Sequence, residues 1–132
     1  MKIIKVALFL FPVIILTKPI YGDDQLSLLL KNHFNNNLGF PELLGIHFYN
    51  DKKGNVLQVD IEITENKNHI IMTMDAMSHI GQYSKTPLHK FIIIGHYLDE
   101  KIPTGYESDA DCAINYFVRK KIPKNIWMKD CL

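Results

Sequence analysis

Six histidines are the first residues whose chemistry asks for an explanation: His33, His47, His69, His79, His89 and His96. Imidazole titrates near neutral pH and ligates metals, so a histidine set signals acid–base work or a metal centre when partners recur at fixed spacing. No pair here stands at i and i+4 on one helix, and His69 and His79, ten apart, do not share one face of adjacent turns. Most therefore read as scattered surface or half-buried side chains. His96 stands apart, because it ends an apolar strand just before Asp99 and Glu100. Strand ends of that kind border ligand crevices in open sheets. One functional reading is accordingly a small hydrolase with His96 and a carboxylate such as Asp99 as its acid–base pair; the other is a structural His96.

Other chemistry is poorly represented. No G-x-S-x-G raises a serine nucleophile, and no glycine-rich phosphate loop occurs. Asp99, Glu100, Glu107, Asp109 and Asp111 crowd one stretch, yet their spacing matches no EF-hand loop, so they read as a solvated acidic loop and helix cap. No metal and no cofactor is expected. Arg119, Lys120, Lys121, Lys124 and Lys129 form a basic patch beside Trp127 that can dock on an anionic partner or simply be a solvated helix end. These residues make Trp127, Lys120, Lys121 and Lys124 the candidate binding set.

The two cysteines, Cys112 and Cys131, have no C-x-x-C or histidine companions. An even count in an exported chain predicts a disulfide, worth roughly 3 kcal/mol for a loop of about 19 residues in the chain-entropy model. Residues 1–22 supply the export signal. Lys2 and Lys5 precede the apolar run Val6–Leu16, Thr17 to Gly22 are more polar, and Gly22 is small enough to precede a cleavage point. The run is shorter than the roughly 18–20 apolar residues of a membrane span. The expected domain is therefore 23–132, secreted or periplasmic, without a transmembrane anchor.

The elements that must position these residues follow from periodicity. With 132 residues, 47% apolar and 22% charged, the chain is one folded domain. Its net charge of +1 falls to about −2 once Lys2, Lys5 and Lys18 leave, which argues against nucleic acid as a partner. Asp23 or Asp24 caps a helix to about Phe34 with Leu26, Leu29 and Leu30 on its stripe. Leu44–Tyr49 and Val56–Thr64 read as an antiparallel hairpin around the turn Asn50–Asn55, the second strand alternating without a break. Ile70, Met74, Met77 and Ile80 recur at helical spacing, with Thr64 or Asn66 as the cap and Gly81 as the end. Lys90–Tyr97, with no alternation, reads as a strand covered on both faces or central in the sheet. Asp99–Glu107 reads as a loop. Ser108 and Asp111 form a capping box for a last helix, and Asn125–Lys129 is a short strand or extended tail around Trp127. The sum is an α+β domain, a mixed sheet with helices mainly on one face.

The stretch Ile94-Gly95-His96, then Ala110-Asp-Cys-Ala-Ile-Asn-Tyr-Phe-Val and Lys121-Ile-Pro-Lys-Asn-Ile126, resembles the OmpA-like peptidoglycan-binding domain over about residues 70–127. The resemblance implies a cell-wall ligand held by an aspartate and an arginine. The first would fall on Leu98 and the second on Asp109, which inverts the charge a carboxylate ligand needs. Such a domain would be degenerate and peptidoglycan is not its expected ligand. The expectation is thus an exported, non-catalytic binding or accessory module of a bacterial envelope or secretion system, with a protein partner.

Overall fold

In the computed structural model, residues 19–64, 68–99 and 102–132 are described. The elements run α1 (Asp23–Asn36), β1 (Glu42–Asn50), β2 (Asn55–Ile63), α2 (Asn68–Gly81), β3 (Leu88–Tyr97), β4 (Thr104–Asp109), α3 (Ala110–Phe117) and α4 (Lys124–Asp130). The strands form one sheet in the order β1-β2-β3-β4. Two antiparallel hairpins, β1/β2 and β3/β4, meet along a parallel β2/β3 seam, and α2 makes the crossover that a parallel pair requires. The α+β mixed sheet read from periodicity is the fold observed. Of the expected leader, residues 1–18 lie outside the described residues, as does the expected cap at Asn66.

Side-chain alternation sends Leu57, Val59, Ile61 and Ile63 of β2, with Phe91 and Ile93 of β3, to one face, where each is at most 2% exposed. Leu30 and Phe34 of α1, Met74 and Met77 of α2, Ala113, Ile114 and Phe117 of α3 and Trp127 of α4 complete the same buried cluster. All four helices thus cover one side of the sheet. A bulge at Leu44 keeps the edge strand in step: Leu43 pairs with Ile61 and Ile46 with Val59, so both face inward although three apart, and Leu44 is pushed outward, 48% exposed. The hairpin turn is held by the Asp51 carboxylate, which accepts from the Lys53 and Gly54 N–H groups, and Gly54 supplies the φ of 148° the turn demands.

Four local expectations are corrected. The N-cap of α1 is Gly22, one residue before Asp23, and the two aspartates occupy the first turn, where they complement the helix dipole. The stretch read as a loop before the last helix contains β4, because Thr104, Tyr106 and Ser108 alternate inward without forming an apolar run. The cap of α3 is Asp109, whose carboxylate accepts from Cys112 N–H at 2.9 Å. Ser108 is instead buried in β4 and accepts from Trp127 Nε1 at 3.0 Å. Finally, the tail around Trp127 is helical. Trp127 and Cys131 are four apart, so a helix turns both toward α3, whereas in a strand Trp127 would share its face with Asn125 and Lys129.

The C-terminal clamp follows from that geometry. Cys112 and Cys131 are disulfide-bonded with Cα atoms 6.1 Å apart, and Asp109 N–H also donates to Cys131 C=O at 3.2 Å. Between the two anchors, Trp127 is fully buried, stacked on Tyr116 at 5.2 Å and edge-on to Phe117 at 4.9 Å. Among the described residues, no helix is long and apolar enough to cross a membrane.

Candidate interaction face

Among the described residues, no helix lies on the opposite side of the sheet. Register places Tyr49, His47 and Gly45 of β1 beside Val56, Gln58 and Asp60 of β2, then Lys90, Ile92 and Ile94 of β3, then Glu107 and Gly105 of β4. Ile92 and Ile94 lie near the middle of this surface and are only half-buried. The unalternating apolar run of β3 therefore has two causes. Phe91 and Ile93 fill the core, while Ile92 and Ile94 are presented on the uncovered face; the strand is central, but helices cover it on one side only.

A chain of polar contacts crosses the same face. Tyr49 OH donates to Gln58 Oε1 at 2.9 Å, and Gln58 Nε2 donates to Asp60 Oδ1 at 2.9 Å. The other carboxylate oxygen of Asp60 lies 3.4 Å from His96 Nε2. His96 thus has a carboxylate neighbour, but it is Asp60. Asp99 sits exposed in the turn after β3. A carboxylate that orients an imidazole is the frame of a general base. Here it lies across open strands, with Asp60 20% and His96 41% exposed and no serine or cysteine on that face to be activated. A cavity of about 270 Å³ lies at the other end of the sheet, lined by Asp23, Phe48, Asn55 and Leu88 among others, and it holds none of the six histidines.

The remaining histidines are dispersed over the fold. His33 stands edge-on to Phe40 at 4.9 Å, and His79 pairs with Asp75 one turn earlier at 3.2 Å. His89 lies 2.8 Å from Asp51, and His47 is exposed on β1. His69 is 8% exposed at the start of α2, with Nδ1 unpartnered. Among the described residues no three histidine, cysteine or acidic side chains gather as a metal site. No protein-family model, curated protein or solved structure matches this chain.

The two ends of the face differ electrostatically. At the hairpin end, the Asp51 carboxyl is lowered from 3.8 to about 2, first by the Lys53 N–H, with His89 and the Gly54 N–H assisting and partial burial opposing. Lys90 also reaches Asp51 at 3.5 Å and Glu107 at 3.8 Å. At the far end, Glu42 and Glu62 stand directly opposite each other in register. The hydrogen bond from one carboxyl to the other raises Glu62 above its ordinary value, with burial and charge repulsion adding to it.

The candidate binding set at the C-terminus is divided. Lys120, Lys121 and Lys124 are exposed, whereas the Trp127 ring is sealed in the core. Of the two positions aligned with cell-wall ligands, Leu98 is 73% exposed in a turn and Asp109 spends its carboxylate on the α3 cap. The Asp60–His96 pairing and its extension to Gln58 and Tyr49 were not recognised in the sequence. Their signal is the polar face of β2, but using it requires the parallel β2/β3 register.

Proposed function

We propose that the protein is an exported, non-catalytic binding module whose helix-free sheet face docks a protein partner. The observation that carries this reading is the pair Ile92 and Ile94, two half-buried aliphatic side chains central on a face that no described helix covers, with Leu44 exposed at its edge and Val56 buried at its hairpin end. In an isolated two-layer fold aliphatic residues there add strand propensity and cross-strand packing, while an interface also gains a dry centre within a polar rim. Export is supported by the Cys112–Cys131 bond, which persists in oxidising compartments. Envelope or secretion-system partners are the class in view, and peptidoglycan is not, since Leu98 and Asp109 offer no grip for a carboxylate ligand.

The test is site-directed photo-crosslinking of the oxidised protein in its own compartment. A benzophenone side chain at Ile94 is expected to give a discrete adduct that the same probe at Leu28, 59% exposed on α1, does not give. Equal labelling from both sites, or none from Ile94, refutes the face. The His96–Asp60 contact favours one second reading, a hydrolase in which His96 activates water. Ester or amide turnover abolished by His96→Gln in a folded protein would establish it.

A further inference from the structure

The two edges of the sheet are finished differently. β4 is six residues long, carries Glu107 and Asp109, and its last N–H donates to Cys131 C=O at 3.2 Å. Shortness and charge are the usual means by which an edge is kept from pairing. β1 is nine residues long, and from Leu43 to Asn50 it holds neither a charged residue nor a proline. At its end Asp51 N–H donates to Gly54 C=O at 2.9 Å, which makes 51 and 54 a hydrogen-bonded pair, and such pairs alternate along an antiparallel ladder. Tyr49 and His47 therefore bond to β2. Asn50, Phe48 and Ile46 turn their N–H and C=O groups outward, where no described strand lies. The bulge at Leu44 ends this regular stretch.

We propose that this edge pairs with β1 of a second copy of the chain, antiparallel about a two-fold axis at Phe48, so that two four-stranded sheets become one. The contact lies on the rim of the sheet and is separate from the docking face proposed above. In that register Phe48 meets Phe48, and Ile46 meets Asn50 of the second copy on either side of the axis. Each of these pairs exchanges both N–H···O=C bonds, which satisfies every outward group from Ile46 to Asn50. His47 and Tyr49, both exposed, form the closer alternate pairs across the seam, imidazole against phenol, with no like charges opposed. Charge selects a second copy over an unrelated strand. Beyond the bulge the same register carries Glu42 to the level of Lys52 and Lys53 in the hairpin turn of the second copy. Among the described residues none of these three is in an ion pair, and Glu42 has another acid, Glu62, opposite it. Asp51 in that turn is already held by His89, Lys90 and the turn's own N–H groups. A two-fold axis normal to the sheet keeps both helix layers on one side.

The experiment is sedimentation equilibrium of the purified, oxidised protein over a concentration series, paired with amide hydrogen exchange read by NMR. The expected mass rises from one chain to two. Protection at Ile46, Phe48 and Asn50 rises with it, whereas the His47 and Tyr49 amides, bonded to β2, are protected throughout. His47→Glu combined with Tyr49→Glu sets acid against acid at two exposed positions and should hold the protein as a monomer. His47→Lys combined with Tyr49→Glu opposes unlike charges and should restore the dimer. A single-chain mass at every concentration overturns the proposal and leaves the open-face reading standing. A dimer whose Ile46, Phe48 and Asn50 amides exchange freely overturns it as well. So does a dimer that survives the paired glutamates and is lost in Ile94→Glu, which would instead make a second copy the partner of the open face.

Discussion

β3 sends apolar side chains to both sides of the sheet, and the two sides have opposite fates. Phe91 and Ile93 vanish beneath the helices, while Ile92 and Ile94, one residue away in each case, stay half-buried on a face that no described helix covers. Chemistry alone does not separate them, since three of the four are isoleucines. What separates them is the parity of the strand and the placement of all four described helices on one side. The covered face holds the fold together; the open face is where a residue can be kept for something other than stability.

The largest expected effect tests that division directly. Phe91→Ala should destabilise by about 3–5 kcal/mol through lost transfer energy and the cavity left behind. Ile94→Ala should cost below about 1 kcal/mol, because the position is open to water and can collapse without a void. Urea unfolding of both variants checks this. Similar losses would mean that the second face is as structural as the first, and the interface reading would lose its basis.

A second comparison sets the sheet against the C-terminal clamp. Cys112→Ser should lower stability by roughly 2–4 kcal/mol and leave Cys131 open to alkylation. The loss should appear as earlier exposure of Trp127, followed by its fluorescence, since the bond closes the helix that carries the ring onto Tyr116 and Phe117. If the oxidised wild type already yields two free thiols by alkylation and mass, the clamp is absent in solution.

How much of this was legible without coordinates depended on whether the signal was local. The alternation of Val56–Thr64 and the turn chemistry of Asn50–Asn55 are local, and the hairpin follows from them. The spacing of Ile70, Met74 and Met77 is equally local and yields α2. β4 escaped because an edge strand with Thr104, Tyr106 and Ser108 facing inward carries no hydrophobic run. α4 escaped because seven residues are too few for periodicity to declare itself, and the four-residue step from Trp127 to Cys131 puts both on one face in a strand as well as in a helix. The Asp60–His96 contact escaped for a different reason. It joins residues 36 apart through the β2/β3 register, and a helical crossover, unlike a tight turn, does not fix that register by its length. Asp99, nearer in sequence, was the natural but misplaced partner.

Acid titration separates the two ends of the open face. Asp51 has its folded value lowered to about 2, so its contribution is present above the ordinary 3.8 and is lost as pH falls toward 2. Asp51→Ala should therefore be less stable than wild type at pH 6, and the gap should narrow on approaching pH 2.5, as read by urea midpoints at each pH. A gap that stays constant would show that the turn is held by geometry and not by the ionised carboxylate.

The smallest effect has the opposite sign. Glu62 is raised because its hydrogen bond to Glu42 needs a shared proton. A carboxyl with a raised folded value favours the fold while protonated, and that advantage is lost as pH climbs above the ordinary 4.5 into the fully ionised range. At neutral pH the two carboxylates simply face each other across the strands, a repulsive cross-strand pair. Glu62→Gln keeps the shape and a donor for Glu42 while removing one charge, so the variant should unfold at slightly higher urea than wild type at pH 7. As pH falls through the raised range of Glu62 to the ordinary 4.5, the wild type regains its own proton, and the two midpoints should converge. Because the pair is solvent-facing, added salt should shrink the neutral-pH difference as well. A variant less stable than wild type at pH 7 would mean that Glu42 and Glu62 are bridged by something that wants both charges, which would move the search for a ligand from Ile92 and Ile94 to this end of the face.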